Sequence, residues 1–306
     1  MANENLRFLV VMAHPHDFTH VAGTCGIHAK MGDSITWISM TSGRMTHNEK
    51  LADELQKPIA QQDKSIVEQS PESYAAEKAA ELKDVAAEFG VTEVEILEFT
   101  DKPFVVERQP KSIEVIREFI LKIRPHIILT QSPYISGPHG LIPATNNDHT
   151  ETAVAVIEAK LLAQLPRYGQ KIAPYTVPAT FFPGVYFDHS QWDFAVDVSE
   201  FFENRVTAEA MYKSQGHDEQ YARRRVGLKL GADGVTAGVP YAEGFVQENF
   251  QTVPHIQLSD YTLKKGTRYH VDYWCDVCAI RTFDIQLCPC CQDIFGPMRL
   301  REEPLP

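Results

Sequence analysis

Short apolar runs alternate with longer segments of helical periodicity along most of the chain. This alternation is typical of βαβ units, and it predicts an α/β fold with a mainly parallel, Rossmann-like sheet flanked by helices. The predicted strands are residues 7–12, 34–40, 91–99, 126–130, 178–188 and 194–199. The predicted helices are residues 20–32, 72–90, 112–125, 150–165, 200–215 and 218–232. Sheets of this kind bind ligands at the carboxyl ends of their strands, so the loops there are the first candidates for chemistry.

The pattern changes near residues 251–268. Helix-forming residues become fewer after this point, aromatic residues become more frequent, and the cysteines cluster. We therefore predict two parts: an α/β domain at residues 1–250, and a linker with a small C-terminal module at residues 251–306.

The charge balance restricts the partners. The chain has 306 residues, 29 Lys and Arg against 41 Asp and Glu, and a formal net charge of −12. A surface that binds nucleic acid needs an excess of cations, so no nucleic-acid partner is expected. A small anionic substrate stays possible, because a metal ion and a few arginines can dominate a pocket locally. The sequence shows no long apolar run and no signal-peptide features, so we expect a cytoplasmic protein without membrane contact.

Five of the six cysteines crowd into a short C-terminal stretch. Cys275 and Cys278 form one pair with two residues between them, and Cys288 and Cys291 form another. Four thiolates at this spacing predict a closed, structural zinc site of the zinc-ribbon type. Cys290 competes with Cys291 as the fourth ligand, and a set of free thiols is the alternative. The zinc would stabilise the C-terminal module, which is too small to bury its own core, or it would form part of an oligomer contact.

Side chains that suit zinc follow two of the predicted strands. His14 and Asp17 come after the first strand, and His149 ends the loop that follows strand 126–130. Two imidazoles and one carboxylate are the donors of a catalytic zinc site, which keeps one position open. The alternative is that these are ordinary strand-end residues, with Asp148 as the N-cap of the next helix.

Two segments of the chain resemble motifs of the PIG-L/LmbE family of zinc-dependent deacetylases. They are AHPHDFTHVAGT at residues 13–24 and NNDH at residues 146–149. The family carries a His-Pro-Asp-Asp-Glu motif after a strand and a His-x-Asp-His motif at a later strand end. The resemblance covers most of residues 5–250, and it implies the same Rossmann-like fold.

The resemblance also implies roles for the residues that match. His14, Asp17 and His149 correspond to the three zinc ligands of the family. Asp148 corresponds to the carboxylate beside the last ligand, which can orient a neighbouring histidine. The expected cofactor is therefore Zn²⁺, with one catalytic ion at this site and one structural ion at the cysteines.

Three positions depart from the family motifs. His16 stands in the place of the general base, Phe18 in that of the glutamate, and Asn146 in that of the histidine that polarises the substrate oxyanion. His16 can act as an acid–base group, because imidazole titrates near neutral pH. Asn146 can donate one hydrogen bond to an oxyanion, whereas Phe18 can perform no acid–base step. The pattern HPxDF with NxDH resembles the branch of the family that includes 4-oxalomesaconate hydratases.

Three functions follow from these features. The nominal activity is amide (N-acetyl) hydrolysis of a small polar substrate, with His16 as the acid–base group. The alternative is zinc-dependent hydration of a conjugated oxo-polycarboxylate, which needs a cationic clamp. The third hypothesis is a degenerate, non-catalytic module whose tail binds a partner. A homo-oligomer is compatible with the cysteine tail.

Other residues are candidates for the lining of the pocket. His139, in the loop before the last zinc ligand, could replace the missing histidine, and His217 could face the site. Arg44 follows the second strand and could hold a substrate carboxylate by a bidentate pair. Of the arginines at 223–225, a helix can direct one or two toward a pocket, and we take Arg224 as the candidate. The alternative for each is an exposed loop or surface residue.

Overall fold

The computed structural model describes residues 5–46, 48–99, 101, 110–134, 147–260, 262–263, 273–275, 277–278, 281–282, 288, 290–292 and 299–300. The strands of the main sheet are β1 (Arg7–Met12), β2 (Ser34–Ser39), β3 (Glu93–Ile96), β4 (Ile127–Thr130), β5 (Ala179–Pro183), β6 (Phe194–Asp197) and β7 (Ala242–Gln247). The helices are α1 (Ala22–Lys30), α2 (Glu49–Leu55), α3 (Lys64–Val67), α4 (Pro71–Glu88), α5 (Pro110–Ile123), α6 (Asp148–Ala163), α7 (Phe202–Met211) and α8 (Glu219–Ala237). A small antiparallel sheet near the C-terminus contains β8 (Tyr273–Trp274), β9 (Arg281–Thr282) and β10 (Arg299–Leu300).

The main sheet has seven strands in the order β3-β2-β1-β4-β5-β7-β6. Strands β1 to β5 run parallel to one another, whereas β7 pairs antiparallel with β5 and β6. The direction in which the chain adds strands reverses between β1 and β4. Open α/β sheets bind ligands in the crevice at such a reversal, outside the carboxyl ends of the strands.

Residues 8–12 of β1 are all apolar because the strand is buried on both faces of the sheet. Phe8, Val10 and Met12 pack into the core on one face of the sheet, and Leu9 and Val11 pack into the core on the other. Helices α1, α4 and α7 contribute to the first core, and α5 and α6 to the second. A central parallel strand that is buried on both faces needs apolar residues at every position.

The predicted fold class is confirmed: the sheet is mostly parallel and helices flank it. The hydrophobic pattern does not predict β7, because Glu243 interrupts it. That residue is 3% exposed, and its carboxylate accepts hydrogen bonds at 2.9 Å from the backbone N–H groups of Gly23 and Thr24. A buried acid in a strand thus satisfies the first turn of α1, where negative charge is favourable.

The domain boundary near residue 250 stays a prediction. In the described part of the chain, every helix is too short or too polar to cross a membrane.

Candidate active site

The candidate site lies where β1 and β4 end, at the reversal of the strand order. A 3-10 turn at Pro15–His20 follows β1 and places Asp17 beside His14 at the edge of the sheet. His149 lies in the first turn of α6 and comes to the same edge. The three predicted zinc ligands are therefore brought together from two strand ends.

Asp148 is not the N-cap of α6, as the alternative from the sequence had it. Asn147 is the N-cap of this helix, and its side chain accepts a hydrogen bond from the backbone of Thr150 at 2.9 Å. Asp148 is therefore the first residue of the helix: its Oδ1 accepts the backbone N–H of His149 at 3.2 Å, and its Oδ2 is directed to the site.

The side chains of His14, Asp17 and His149 converge on one point. Nδ1 of His14 lies 3.0 Å from Nε2 of His149. Oδ2 of Asp17 lies 3.6 Å from the first nitrogen and 3.8 Å from the second. Ligand atoms about 2.1 Å from a tetrahedral zinc ion are roughly 3.4 Å apart, so these three atoms have the spacing of a shared ion.

Two further side chains hold the proposed ligands in place. Oδ2 of Asp148 lies 2.6 Å from Nε2 of His14, the ring nitrogen directed away from the convergence point. Oδ2 of Asp17 accepts hydrogen bonds from the backbone N–H of His14 and from Nε2 of Gln131, both at 2.8 Å. A carboxylate on the far nitrogen of a ligating imidazole fixes its tautomer and strengthens it as a ligand.

Tyr186 closes this network on the other side. Its hydroxyl lies 3.1 Å from Nε2 of Gln131, 3.1 Å from Nδ1 of His20 and 3.3 Å from Nδ1 of His149. Burial raises the pKa of Tyr186 well above its usual range, so the hydroxyl stays protonated and available as a donor.

The charges at this point favour a bound cation. Burial opposes the charged form of His14, but the hydrogen bonds and charges of Asp148 and Asp17 outweigh it and raise the pKa of His14 to about 9. Burial also opposes ionisation of Asp17, yet His149 and His14 hold its pKa well below the usual range. A buried pocket of two carboxylates and two imidazoles attracts protons or a metal ion. Its nitrogen and oxygen donors fit Zn²⁺.

The same turn also contributes to a second cluster, which we call the Glu209 cluster and which consists of His16, Arg205, Glu209, His217 and Arg225. Nε2 of His16 and Nδ1 of His217 are both 3.2 Å from Oε1 of Glu209. Nε of Arg225 lies 2.9 Å from that oxygen, and a guanidinium nitrogen of Arg205 lies 3.7 Å from the other carboxylate oxygen. Two histidines and two arginines thus lie around one buried carboxylate.

The Glu209 cluster resembles a metal site in its donors, but its charge is wrong for one. Ligand atoms of His16, Glu209 and His217 lie within 4.8 Å of one another. Two guanidinium groups already neutralise Glu209 and would repel a further cation. Arg205 is 4% exposed, and its Nε and Nη1 have no hydrogen-bond partner among the described residues. The cluster therefore has a surplus of positive charge and of donors, which suits an anion.

His16 and Glu209 form an imidazole–carboxylate pair. Burial lowers the pKa of His16, although the hydrogen bond and charge of Glu209 oppose the shift. Burial alone would raise the pKa of Glu209, but His16, His217 and Arg205 hold it well below its usual range. A neutral imidazole on an ionised carboxylate is an arrangement suited to a general base.

The structure separates the three consecutive arginines of α8. Arg223 pairs with Glu203 through hydrogen bonds of 2.9 and 2.7 Å. Arg224, the predicted substrate-binding residue, is exposed, and it is Arg225 that turns toward Glu209. Neighbouring helical residues point about 100° apart, so a choice among the three needs the tertiary structure.

The remaining predicted residues lie in different environments. Arg44 is half-buried, and its Nε lies 3.8 Å from Oδ1 of Asp101. Phe18 is fully buried in the apolar core, which is why the motif position of a glutamate carries no polar group here. His139 and Asn146 lie outside the described residues, so their roles stay predictions.

Four residues of the site, Gln131, Tyr186, Arg205 and Glu209, were not predicted. Gln131 directly follows β4, so its strand-end position was a readable signal of the kind that singled out His14. Tyr186 and Glu209 carry no local signal. The first lies in a turn after β5, and the second is an acid within the helix α7 that only folding makes buried.

The fold and the site define an α/β protein with a candidate metal centre at the carboxyl ends of a parallel sheet. Residues 9–160 match the family model PIG-L, described as GlcNAc-PI de-N-acetylase. This part of the chain is a PIG-L family domain.

Solved structures share the fold. GalB, the 4-carboxy-2-hydroxymuconate hydratase of Pseudomonas putida KT2440, is 19% identical with a TM-score of 0.64 over 82% of this chain and 100% of its own. The N,N'-diacetylchitobiose deacetylase of Pyrococcus horikoshii is 22% identical with a TM-score of 0.63 over 80% of this chain and 84% of its own. The conserved protein TT1542 of Thermus thermophilus is 22% identical with a TM-score of 0.60, over 83% and 100%. No curated protein sequence matches the chain.

We predict that His14→Ala lowers the metal content by one ion per chain, because it removes one of three converging donors. Asp148→Asn keeps the donors but removes the charge behind His14, so metal affinity should fall about 10–100-fold. Elemental analysis and chelator competition measure both effects. His189→Ala is the control, because this exposed histidine pairs with Asp233 and belongs to none of the candidate metal clusters among the described residues. An unchanged metal content in His14→Ala would contradict the assignment.

Proposed function

We propose that the chain is a metal-dependent enzyme that activates water and hydrates a small, conjugated, carboxylate-bearing molecule. The observation that carries this proposal is the surplus of cations in the Glu209 cluster, which shares a turn with the candidate metal ligands. Amide hydrolysis, the nominal activity from the sequence, is the second candidate. It is favoured by the description of the matching family model as a de-N-acetylase.

His14, Asp17 and His149 would hold the metal ion. A zinc ion with three protein ligands keeps one position open, lowers the pKa of bound water and polarises a substrate oxygen. Asp148 and Gln131 keep the ligands oriented through contacts of 2.6 and 2.8 Å. The two reactions share this centre, so it does not decide between them.

His16 would move the proton. Glu209 engages its Nε2, which leaves Nδ1 to accept a proton from water and to return one to the substrate. The lowered pKa of His16 keeps the imidazole neutral, and therefore basic, at neutral pH. The imidazole thus stands in for the carboxylate base of the family motif.

Arg225, Arg205 and Lys229 would bind the carboxylate groups of the substrate. Lys229 is exposed, but partial loss of hydration next to the like charges of Arg225 and Arg205 lowers its pKa to about 8. An anion that binds among these groups relieves their repulsion, whereas a neutral N-acetyl sugar would leave the excess positive charge without a counter-ion. GalB is by name a hydratase of a carboxylate substrate and the Pyrococcus protein a deacetylase of a sugar. The shared fold serves both chemistries, and the cations favour the first.

We predict hydratase activity on a conjugated oxo-polycarboxylate, measured as loss of its ultraviolet absorption. An N-acetylated amino sugar, assayed for release of acetate, is the parallel substrate. His16→Ala should lower kcat about 10²–10⁴-fold, because it removes the proton carrier. Its metal content should stay at the wild-type value. Acetate release without hydration would favour the second candidate. No turnover of either substrate by the metal-loaded protein would favour a non-catalytic module.

We also predict that Arg225→Gln raises KM for the polycarboxylate more than it lowers kcat. Loss of a charge-assisted hydrogen bond costs about 1.5–3 kcal/mol, which corresponds to roughly 10–150-fold in affinity. Arg224→Gln is the matched control, since this exposed neighbour should change KM less than about twofold. Equal effects of the two substitutions would count against the anion-binding role of the cluster.

A further inference from the structure

Four cysteines of the C-terminal segment come together in space. The Sγ atoms of Cys275, Cys278, Cys288 and Cys291 lie within 4.8 Å of one another, and those of Cys275 and Cys291 are 3.8 Å apart. A tetrahedron with Zn–S bonds of about 2.3 Å has S···S edges of about 3.8 Å. Cys290 is exposed and is not one of the four, although its thiol contacts that of Cys278.

The backbone around each cysteine pair is arranged for a metal-bound thiolate. The N–H of Cys278 donates to Sγ of Cys275 at 3.4 Å, and the N–H of Cys291 donates to Sγ of Cys288 at 3.5 Å. The two pairs, which are separate in the sequence, therefore share the same local hydrogen bond. Backbone N–H groups that point at sulfur stabilise its charged form.

One residue of the second turn reaches the α/β domain. Gln292 has a left-handed backbone with φ of 50°, and its N–H donates to the carbonyl of Cys288 at 2.8 Å. Its Nε2 donates to the hydroxyl of Tyr241 at 2.8 Å. A Cβ at position 227 would lie 2.9 Å from this Nε2, so Gly227 permits the close approach of Gln292 to α8.

Helix α8 lies between this contact and the Glu209 cluster. Val226 and Leu230 face the core together with Tyr241. At about 100° per residue, Arg225 and Gly227 lie on opposite flanks of that apolar stripe. The turn that carries Gln292 therefore supports one flank of α8, while the other flank presents Arg225 to Glu209.

The same contact reaches α7 through one aromatic ring. Tyr241, the acceptor for Gln292, stacks on Phe202 with ring centroids 4.0 Å apart and planes 10° apart. Phe202 begins α7, the helix that carries Arg205 and Glu209. Both helices of the Glu209 cluster thus meet the cysteine segment, directly or through one side chain.

We propose that the four cysteines bind a structural zinc ion, and that the turn with Cys288, Cys291 and Gln292 then contacts α8 through Gln292 and holds this helix in place. The metal at the cysteines thereby positions Arg225 against Glu209 from outside the active site. This role is independent of the reaction that the site catalyses, because it rests on contacts between this turn and the two helices.

The test compares three full-length variants by metal content and by hydrogen exchange. Cys288→Ser removes a proposed ligand, and Cys290→Ser is its matched control in the same turn. Gln292→Asn keeps a residue that tolerates the left-handed conformation but shortens the side chain that reaches Tyr241. Exchange is read on peptides from α8, with peptides from α5 as the internal reference for general destabilisation.

We expect Cys288→Ser to lose one zinc ion per chain and to exchange α8 amides at least tenfold faster, with α5 unchanged. Gln292→Asn should keep the zinc and still show faster exchange in α8, and Cys290→Ser should match the wild type. Unchanged zinc in Cys288→Ser would overturn the metal site. Zinc loss with unchanged α8 exchange, or with an equal change in α5, would overturn the positioning role.

Discussion

The contact between His14 and Asp148 is the interaction on which the candidate site depends. It joins two residues that are 134 positions apart, at a distance of 2.6 Å in a buried setting. The first follows β1 and the second starts α6, so the contact ties together the two loops at the reversal of the strand order. A buried carboxylate without this partner would be an uncompensated charge, which is costly in a protein interior. The pair therefore stabilises the loops and orients the imidazole at once.

A single short turn serves two clusters with opposite charge preferences. His14 and Asp17 face a pocket rich in carboxylates that suits a cation. His16, between them in the sequence, faces the Glu209 cluster, whose arginines suit an anion. Phe18 points into the apolar core and anchors the turn. The turn thus joins the candidate metal centre to the Glu209 cluster.

The sequence predicts the sheet and the convergence of His14, Asp17 and His149, because both depend on local patterns. The run at β1 is apolar on both faces, and the two motifs stand at strand ends where the topology brings them together. Residues whose role depends on tertiary packing are not predicted. Strand β7 does not show in the hydrophobic pattern because the buried Glu243 interrupts it. A choice between Arg224 and Arg225 needs the orientation of α8 about its axis. Glu209 is one acid among many until folding buries it. The domain boundary and the oligomeric state stay predictions.

Binding of one metal ion between His14, Asp17 and His149 underlies both candidate reactions. A crystal structure with anomalous scattering recorded on both sides of the zinc absorption edge would locate this ion. We expect a peak about 2.0–2.2 Å from Nδ1 of His14, Oδ2 of Asp17 and Nε2 of His149. Absence of a peak at this point in zinc-loaded crystals, or a peak between His16, Glu209 and His217 instead, would contradict it.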